Sequence, residues 1–196
     1  MRVEFSVIDF HLSAGFTQHR GGAALADTVH RFAAAKAEWL ADFVARKWVD
    51  LGRPCSQAAA EKAVSYAAER AAAFDPERAV LVHGDAHAHN LLLKPDPANG
   101  STSFRLIDPE GLLSEPAHDL GVALRDHNEE LLAGDTAGTA AGRCRQAALL
   151  TGVNGEAIWQ WAFIERVSTG LFLFRLGHRQ EARPYLAVAD RLSASR

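Results

Sequence analysis

The sequence has little cysteine, no excess of basic residues and no long apolar run, and each absence excludes a class of protein. Two cysteines in 196 residues are too few for a disulfide framework, so we expect Cys55 and Cys144 to be reduced thiols. No apolar run approaches membrane-spanning length, and the first residues lack the layout of a secretion signal. A net charge of −3 argues against a nucleic-acid partner. These absences predict a cytoplasmic protein without membrane or nucleic-acid contacts.

What the sequence does contain is typical of one folded domain. Hydrophobic residues make up 48% and charged residues 23%, values that argue against a disordered chain. At 196 residues the chain is long enough for one sizeable core and short for two. Helical patterns come first, then a small β-hairpin, then more helical patterns. The expected fold class is therefore α+β, mainly α.

Apolar residues that recur at helical spacing predict five main helices around the β segment. Ser56 can cap the second helix, and Arg183-Pro184 should break the last one before a short helical tail. The predicted helices cover residues 23–49, 56–74, 118–132, 139–150 and 156–176. The predicted strands cover residues 80–82, 90–93 and 103–107, with a surface loop over 94–100.

Three polar residues lie at the ends of the predicted strands. Asp85 follows the first strand, Asn90 begins the second and Asp108 follows the third. Because the second and third strands form a hairpin, we expect Asn90 and Asp108 to lie close together. Phosphoryl transfer uses such a set, in which one carboxylate deprotonates the attacking hydroxyl while an amide oxygen and another carboxylate hold magnesium. The spacing Asp-x-x-x-x-Asn is also that of the protein-kinase catalytic loop.

Two further carboxylates lie near this set in the sequence. Glu110, two residues after Asp108, is either another metal or water ligand or a solvated turn residue. Asp119 starts a predicted helix, where a carboxylate caps backbone N–H groups, so we expect its role to be structural.

A group of histidines supports a competing hypothesis. The residue types of a zinc or two-metal hydrolase occur together in His83, Asp85, His87 and His89. In an extended segment these four side chains could converge on one metal. That interpretation leaves Asn90 and Asp108 without a role, so the metal-dependent hydrolase is the weaker alternative.

These motifs resemble the aminoglycoside phosphotransferase family. The resemblance is carried by His83-Gly-Asp85-x-His87-x-x-Asn90, Ile107-Asp108-Pro-Glu110-Gly and Glu115-Pro-x-x-Asp119-Leu. The Ile-Asp-Pro-Glu form and Trp161-x-x-x-Glu165-Arg166 are most similar to its streptomycin 6-phosphotransferase and hydroxyurea-resistance branch. The resemblance covers residues 80 to about 175 well and the preceding helices less fully.

The resemblance implies a protein-kinase-like fold and an enzyme that moves the γ-phosphate of ATP to a hydroxyl of a small molecule. It further implies that Asp85 is the catalytic base and that Asn90 and Asp108 bind Mg²⁺. His83 and Asp119 are implied to support the loop. The implied cofactors are ATP and Mg²⁺, and the implied substrate is polyhydroxylated and cationic, an aminoglycoside such as streptomycin.

The sequence departs from the family near its beginning. A complete kinase has an N-terminal lobe, with a Gly-rich strand turn and a strand lysine over the phosphates. Residues 1–24 alternate briefly like a strand at Val3 to Val7 but contain no lysine, and the first lysine, Lys36, lies in a predicted helix. We therefore expect residues 25–196 to form the C-terminal lobe alone, with residues 1–24 either a hinge remnant or a segment unrelated to the family. A partner chain would then supply the missing lobe; the alternative is a non-catalytic remnant.

Carboxylates in the C-terminal helices are candidates for binding a cationic substrate. Asp126, Glu129 and Glu130 lie together, although a solvated helix face is the preferred interpretation of that cluster. Glu165 lies on an apolar side of its helix, where an unpaired carboxylate is expensive to bury. We expect it either to face a substrate cleft or to pair with Arg166 or another internal arginine.

Overall fold

The computed structural model describes residues 22–95 and 102–194, with side chains described in residues 35–94 and 103–194. The helices of this part are α1 (Gly22–Asp50), α2 (Gln57–Ala73), α3 (Ala117–Leu124), α4 (Asn128–Ala133), α5 (Thr136–Thr151), α6 (Gly155–Arg175) and α7 (Arg179–Ala194). The strands are β1 (Val80–Val82), β2 (Leu91–Pro95), β3 (Thr102–Leu106) and β4 (Leu112–Ser114). The predicted class, α+β and mainly α, is confirmed. The predicted strand pattern from Val3 to Val7 lies outside the described residues.

Helix α6 forms the centre of the fold. Most of its residues are buried, including Trp161, Phe163, Ile164 and Leu171, and a helix buried on all sides along its middle belongs in a core. Helices α1, α2, α3, α5 and α7 all pack against it. At Gly121 of α3, a Cβ atom would lie 2.4 Å from the Cβ of Trp161, so only glycine permits this approach of α3 to α6.

The first two helices match their sequence prediction and close one side of the core. The Ser56 hydroxyl accepts a hydrogen bond from the Ala59 amide at 3.2 Å, which is the predicted N-cap of α2. The Trp48 indole donates to the Cys55 carbonyl at 2.9 Å and fixes the turn between the helices. Cys55 and Cys144 are both free and buried, as expected, and burial raises the pKa of their thiols to about 12 and about 11.

The strands form two separate antiparallel pairs. Strands β2 and β3 make the predicted hairpin, in which Leu91 faces Leu106 and Leu93 faces Phe104. Strand β1 pairs instead with β4, which the sequence analysis did not predict. Lys94 and Pro95, expected in the surface loop, belong to β2 because its ladder continues to Pro95 and Thr102.

Two predicted helix boundaries are wrong. The helix expected over residues 118–132 is two helices, because the chain turns at Arg125–His127 and His127 adopts a left-handed φ of 58°. The last break lies at Gly177, with a φ of 88°, and not at Pro184, which lies inside α7. A proline near the start of a helix removes one backbone hydrogen bond, whereas a left-handed residue ends the helix outright.

None of the helices in the described part of the chain is both long enough and apolar enough to cross a lipid bilayer.

Candidate active site

The segment between β1 and β2 is held by Asp119 of α3. The backbone amides of His83 and Gly84 donate to the two carboxylate oxygens of Asp119, at 2.7 and 2.8 Å. The residues alone indicated a cap on the amides of its own helix, whereas the family resemblance implied support of the loop; the carboxylate in fact accepts from loop amides. The carboxylate binds two loop amides from a distant part of the sequence, so it fixes the start of the loop that carries Asp85.

His83 joins this loop to the segment after β3. Its Nδ1 accepts from the Asp85 amide at 3.3 Å, which places the proton on Nε2, and Nε2 donates to the Ile107 carbonyl at 2.9 Å. The His83 carbonyl also accepts from the Glu110 amide at 2.8 Å. The side chain is buried, and both of its ring nitrogens are used. His83 therefore holds the two polar segments of the sequence against each other.

Gly84 lets these two segments approach closely. Its φ is +87°, and a Cβ atom there would lie 2.9 Å from the Cβ of Glu110. Both the backbone conformation and the contact favour glycine at this position.

Replacing Gly84 with Ala is expected to destabilise the protein by about 1–3 kcal/mol, because the left-handed φ is strained and the new methyl group meets Glu110. Gly52→Ala is the matched control, since Gly52 has a similar φ of +76° but nothing within 4 Å of a Cβ. Chemical denaturation of both variants separates strain from contact. An equal loss at the two positions would contradict the close approach of Glu110.

The carboxylate of Asp85 receives three hydrogen bonds. Its Oδ2 accepts from Asn90 Nδ2 at 3.2 Å and from His87 Nε2 at 3.1 Å. Its Oδ1 accepts from Nη2 of Arg125 at 3.0 Å. Two carboxylate oxygens offer about four acceptor positions, so the one that remains is on Oδ1. The side chain is 33% exposed, so the carboxylate is partly open to solvent.

The base of the β2–β3 hairpin places Asn90 opposite Ile107, the residue before Asp108. The Ile107 amide donates to the Asn90 carbonyl at 2.9 Å. The side-chain Nδ2 of Asn90 also donates to the Asp85 carbonyl at 2.9 Å, which leaves its side-chain oxygen as the remaining ligand atom. Asp108 has a left-handed φ of 58°, is exposed, and receives no hydrogen bond from any described residue.

This pair of oxygen ligands fits Mg²⁺. One amide oxygen and one carboxylate, both without a partner in the described part of the chain, are hard ligands of the kind that magnesium prefers. Magnesium usually takes only one or two ligands from the protein and fills its other positions with phosphate oxygens and water. A pair of protein ligands is therefore within the number that Mg²⁺ accepts.

Glu110 is exposed and pairs with Lys36 of α1, whose Nζ lies 3.4 Å from Glu110 Oε2. Neither of the two expectations for Glu110 included this contact. It ties the segment from Asp108 to Glu110 to α1 and places a lysine beside it.

Glu165 lies in an internal ion pair. Its Oε1 accepts from His118 Nε2 at 3.1 Å and its Oε2 from Arg125 Nη1 at 3.2 Å. Burial would raise the pKa of Glu165, but the hydrogen bond and charge of His118 and the charge of Arg125 outweigh it and lower the pKa to about 2. Of the two expectations, the structure shows pairing with an internal arginine, which is Arg125 and not Arg166.

The expected acidic cluster around Asp126 is divided in the structure. Asp126 lies in the turn between α3 and α4, and its carboxylate accepts from the Tyr185 hydroxyl at 2.7 Å. Glu129 and Glu130 are exposed on α4, and Glu130 pairs with Arg143. The sequence predicted one continuous helix and therefore placed the three carboxylates together. The helix break at His127 separates Asp126 from the other two.

The geometry of the histidines argues against the hydrolase. His83 has no ring nitrogen left for a metal, and His87 is similar, since its Nδ1 accepts from the His89 amide at 3.2 Å while Nε2 donates to Asp85. Among the residues that the structure describes, no group of three His, Cys, Asp or Glu side chains is placed to hold a metal ion.

Sequence reasoning did not predict the contacts that Arg125, His118 and Lys36 make at this site. A signal for Arg125 did exist, because a buried glutamate on an apolar stripe requires an internal cation. The position of Arg125 directly after the apolar residues of α3 made it a candidate. The other two could be identified only from the packing of α1 and α3 against the site.

Comparison with known proteins supports the chemistry of this geometry. No curated protein and no solved structure matches the chain. The family model of the phosphotransferase enzyme family, APH, matches residues 14–147, which is more than half of the chain and includes every residue from His83 to Asp126 described above. The chain therefore belongs to the phosphotransferase enzyme family.

Proposed function

We propose that this protein transfers the γ-phosphate of ATP to a hydroxyl group of a small molecule. The observation that carries the proposal is the carboxylate of Asp85, which three donors hold in one orientation beside Asn90. A general base must be fixed within hydrogen-bond reach of the proton that it removes. Membership of the phosphotransferase enzyme family supports the same chemistry.

The residues of the chain divide the work as follows. Asp85 accepts the proton of the attacking hydroxyl at the free position on Oδ1. Asn90 and Asp108 would hold Mg²⁺, which supplies the positive charge that offsets the negative charge of the phosphates. Asp119 and His83 hold the loop, through its amides and through Ile107, so that Asp85 and Asn90 keep their separation.

The substrate that we propose is polyhydroxylated and cationic, an aminoglycoside such as streptomycin. Support comes from the sequence motifs that resemble the streptomycin branch and from carboxylates close in sequence to Arg125. Asp126 lies next to Arg125, 3.9 Å from its Nε, and Glu129 is exposed on the neighbouring helix. We place the reaction in the cytoplasm, for which the two free thiols are the support.

We further propose that the described residues act as the C-terminal lobe of a kinase-like fold. None of the four strands in the described ranges is followed by a Gly-rich turn of the kind that covers phosphates in kinases. The strand lysine in those ranges is Lys94, which belongs to the β2–β3 hairpin of the proposed C-terminal lobe. Groups that cover the nucleotide would come from a segment outside the described residues or from a partner chain.

Asp108→Ala is expected to weaken magnesium-dependent binding of ATP at least about tenfold, because loss of an indirect support for a metal ligand already costs 10–100-fold in metal affinity. Isothermal titration calorimetry of ATP with and without Mg²⁺ measures this effect. Asp42→Ala, at an exposed aspartate on α1 that pairs with Arg46, is the control and should bind as the wild type does. Unchanged magnesium-dependent binding in Asp108→Ala would remove Asp108 from the site.

A further inference from the structure

A chain of charged side chains runs from the core to Asp85. His118 Nε2 donates to Glu165 at 3.1 Å, and Glu165 accepts from Arg125 Nη1 at 3.2 Å. The other terminal nitrogen of Arg125, Nη2, donates to Asp85 Oδ1 at 3.0 Å. Side-chain exposure rises along this chain, from 0% for His118 to 7% for Glu165, 13% for Arg125 and 33% for Asp85. The first two members are therefore fixed by packing, and the last faces solvent.

Arg125 connects the buried Glu165 to the more exposed Asp85. Its planar guanidinium places two terminal nitrogens in a fixed relation, and each binds a different carboxylate. Burial would lower the pKa of Arg125, but the carboxylates of Glu165, Asp126 and Asp85 outweigh it and raise the pKa. Arg125 therefore carries its charge at every pH at which the protein is folded.

We propose that Arg125 is a positioning residue for the reaction, which fixes the carboxylate plane of Asp85 from the Oδ1 side while Glu165 anchors the guanidinium. The inference rests on the proposed function and adds a residue to it. Without Arg125, only Asn90 and His87 hold the carboxylate, both through Oδ2, so Asp85 can rotate and its Oδ1 loses its fixed direction. The substrate hydroxyl would then meet a poorly oriented base.

This role predicts a specific kinetic result. Arg125→Lys keeps the charge but loses the fork that joins two carboxylates, and it should lower kcat about 10–100-fold, as expected from a small misplacement of a catalytic group. The KM for ATP should change by less than about twofold, because Arg125 contacts neither Asn90 Oδ1 nor Asp108 and so leaves ground-state binding unchanged. In Arg125→Ala, guanidinium chloride well below denaturing concentration should restore part of kcat.

Arg70 provides the matched control. Its side chain is 15% exposed, it pairs with Glu115 at 3.3 Å, and its Nε is buried without a hydrogen-bond partner among the described residues, as is Nε of Arg125. Arg70→Lys and Arg70→Ala should keep kcat near the wild-type value, and guanidinium should have no effect on them. If Arg125→Lys keeps wild-type kcat, or if Arg70→Lys loses as much, the positioning role is wrong.

A second measurement does not depend on activity. Carbodiimide labelling of Asp85, read by mass spectrometry of its peptide, should be severalfold faster in Arg125→Lys and Arg125→Ala than in the wild type or Arg70→Lys. If the wild type transfers no phosphate, the proposed function fails while labelling still tests the hold of Arg125 on Asp85. Equal labelling rates in the wild type and the Arg125 variants would overturn the inference.

Discussion

Asp85→Asn is expected to lower the rate of phosphate transfer about 10²–10⁴-fold, the usual contribution of a general base. An amide has nearly the same shape as a carboxylate but cannot take a proton from the attacking hydroxyl. Its single oxygen can satisfy Arg125 on one side or Asn90 and His87 on the other, so the variant should also lose about 1–3 kcal/mol of stability through an unpaired donor. Turnover is measured by ADP release, and folding by thermal denaturation.

Asp190→Asn is the control for this experiment. Asp190 is also a partly buried aspartate, and it accepts from the Ser56 amide at 2.7 Å, in the contact between α2 and α7. It should keep full activity after a similar change in charge. Near-wild-type turnover by a folded Asp85→Asn protein would show that Asp85 is not the base.

Glu165→Gln is expected to destabilise the protein by about 3 kcal/mol near neutral pH. The reason is the shift of its pKa from an ordinary value of 4.5 to about 2, at 1.36 kcal/mol for each pH unit. Breaking a buried ion pair by removing one partner typically costs about 3–5 kcal/mol, so the two arguments agree. In the variant, Arg125 and His118 would both still be donors, but the neutral amide between them has one oxygen in place of two.

The stabilisation by Glu165 should depend on pH. Because the pKa of Glu165 is lower in the folded protein, its contribution is complete above the unfolded pKa of 4.5 and is lost as the pH falls towards about 2. The difference in unfolding free energy between wild type and Glu165→Gln should therefore shrink as the pH is lowered from about 5 to about 3. Urea denaturation across that range measures it.

Glu130→Gln is the control on the surface of the protein. Glu130 pairs with Arg143 but its side chain is 64% exposed, and such pairs contribute no more than about 1 kcal/mol. A loss in Glu165→Gln no larger than in Glu130→Gln, or one that stays constant as the pH falls, would contradict the buried ion pair.

The sequence predicts those parts of the site that depend on local pattern. The hairpin follows from two short apolar strands, and its base brings the Asn90 and Ile107 backbones to within one hydrogen bond. The N-cap at Ser56 and the left-handed Gly152 that ends α5 are likewise local features, set by residue type and conformational preference.

Contacts between distant segments are not predictable in the same way. The residues around Asp119 indicate only a helix cap, and its support of the loop was implied by the family resemblance alone; its carboxylate binds amides 35 and 36 residues earlier in the chain. Arg125 reaches both Asp85 and Glu165, each 40 residues away, because α3 ends there and not at residue 132. Apolar periodicity continues across the break at His127, so only the packing of α3 against α6 shows where the helix stops.

Phosphate transfer by the wild-type protein is the most direct test of the proposed function. The protein is incubated with Mg²⁺, ATP and a panel of hydroxylated small molecules, with streptomycin and other aminoglycosides first, and the products are weighed by mass spectrometry. We predict a phosphorylated product that forms with equal release of ADP, requires Mg²⁺ and is absent with Asp85→Asn. No phosphorylated product from a folded protein that binds Mg-ATP, or equal product from Asp85→Asn, would contradict it.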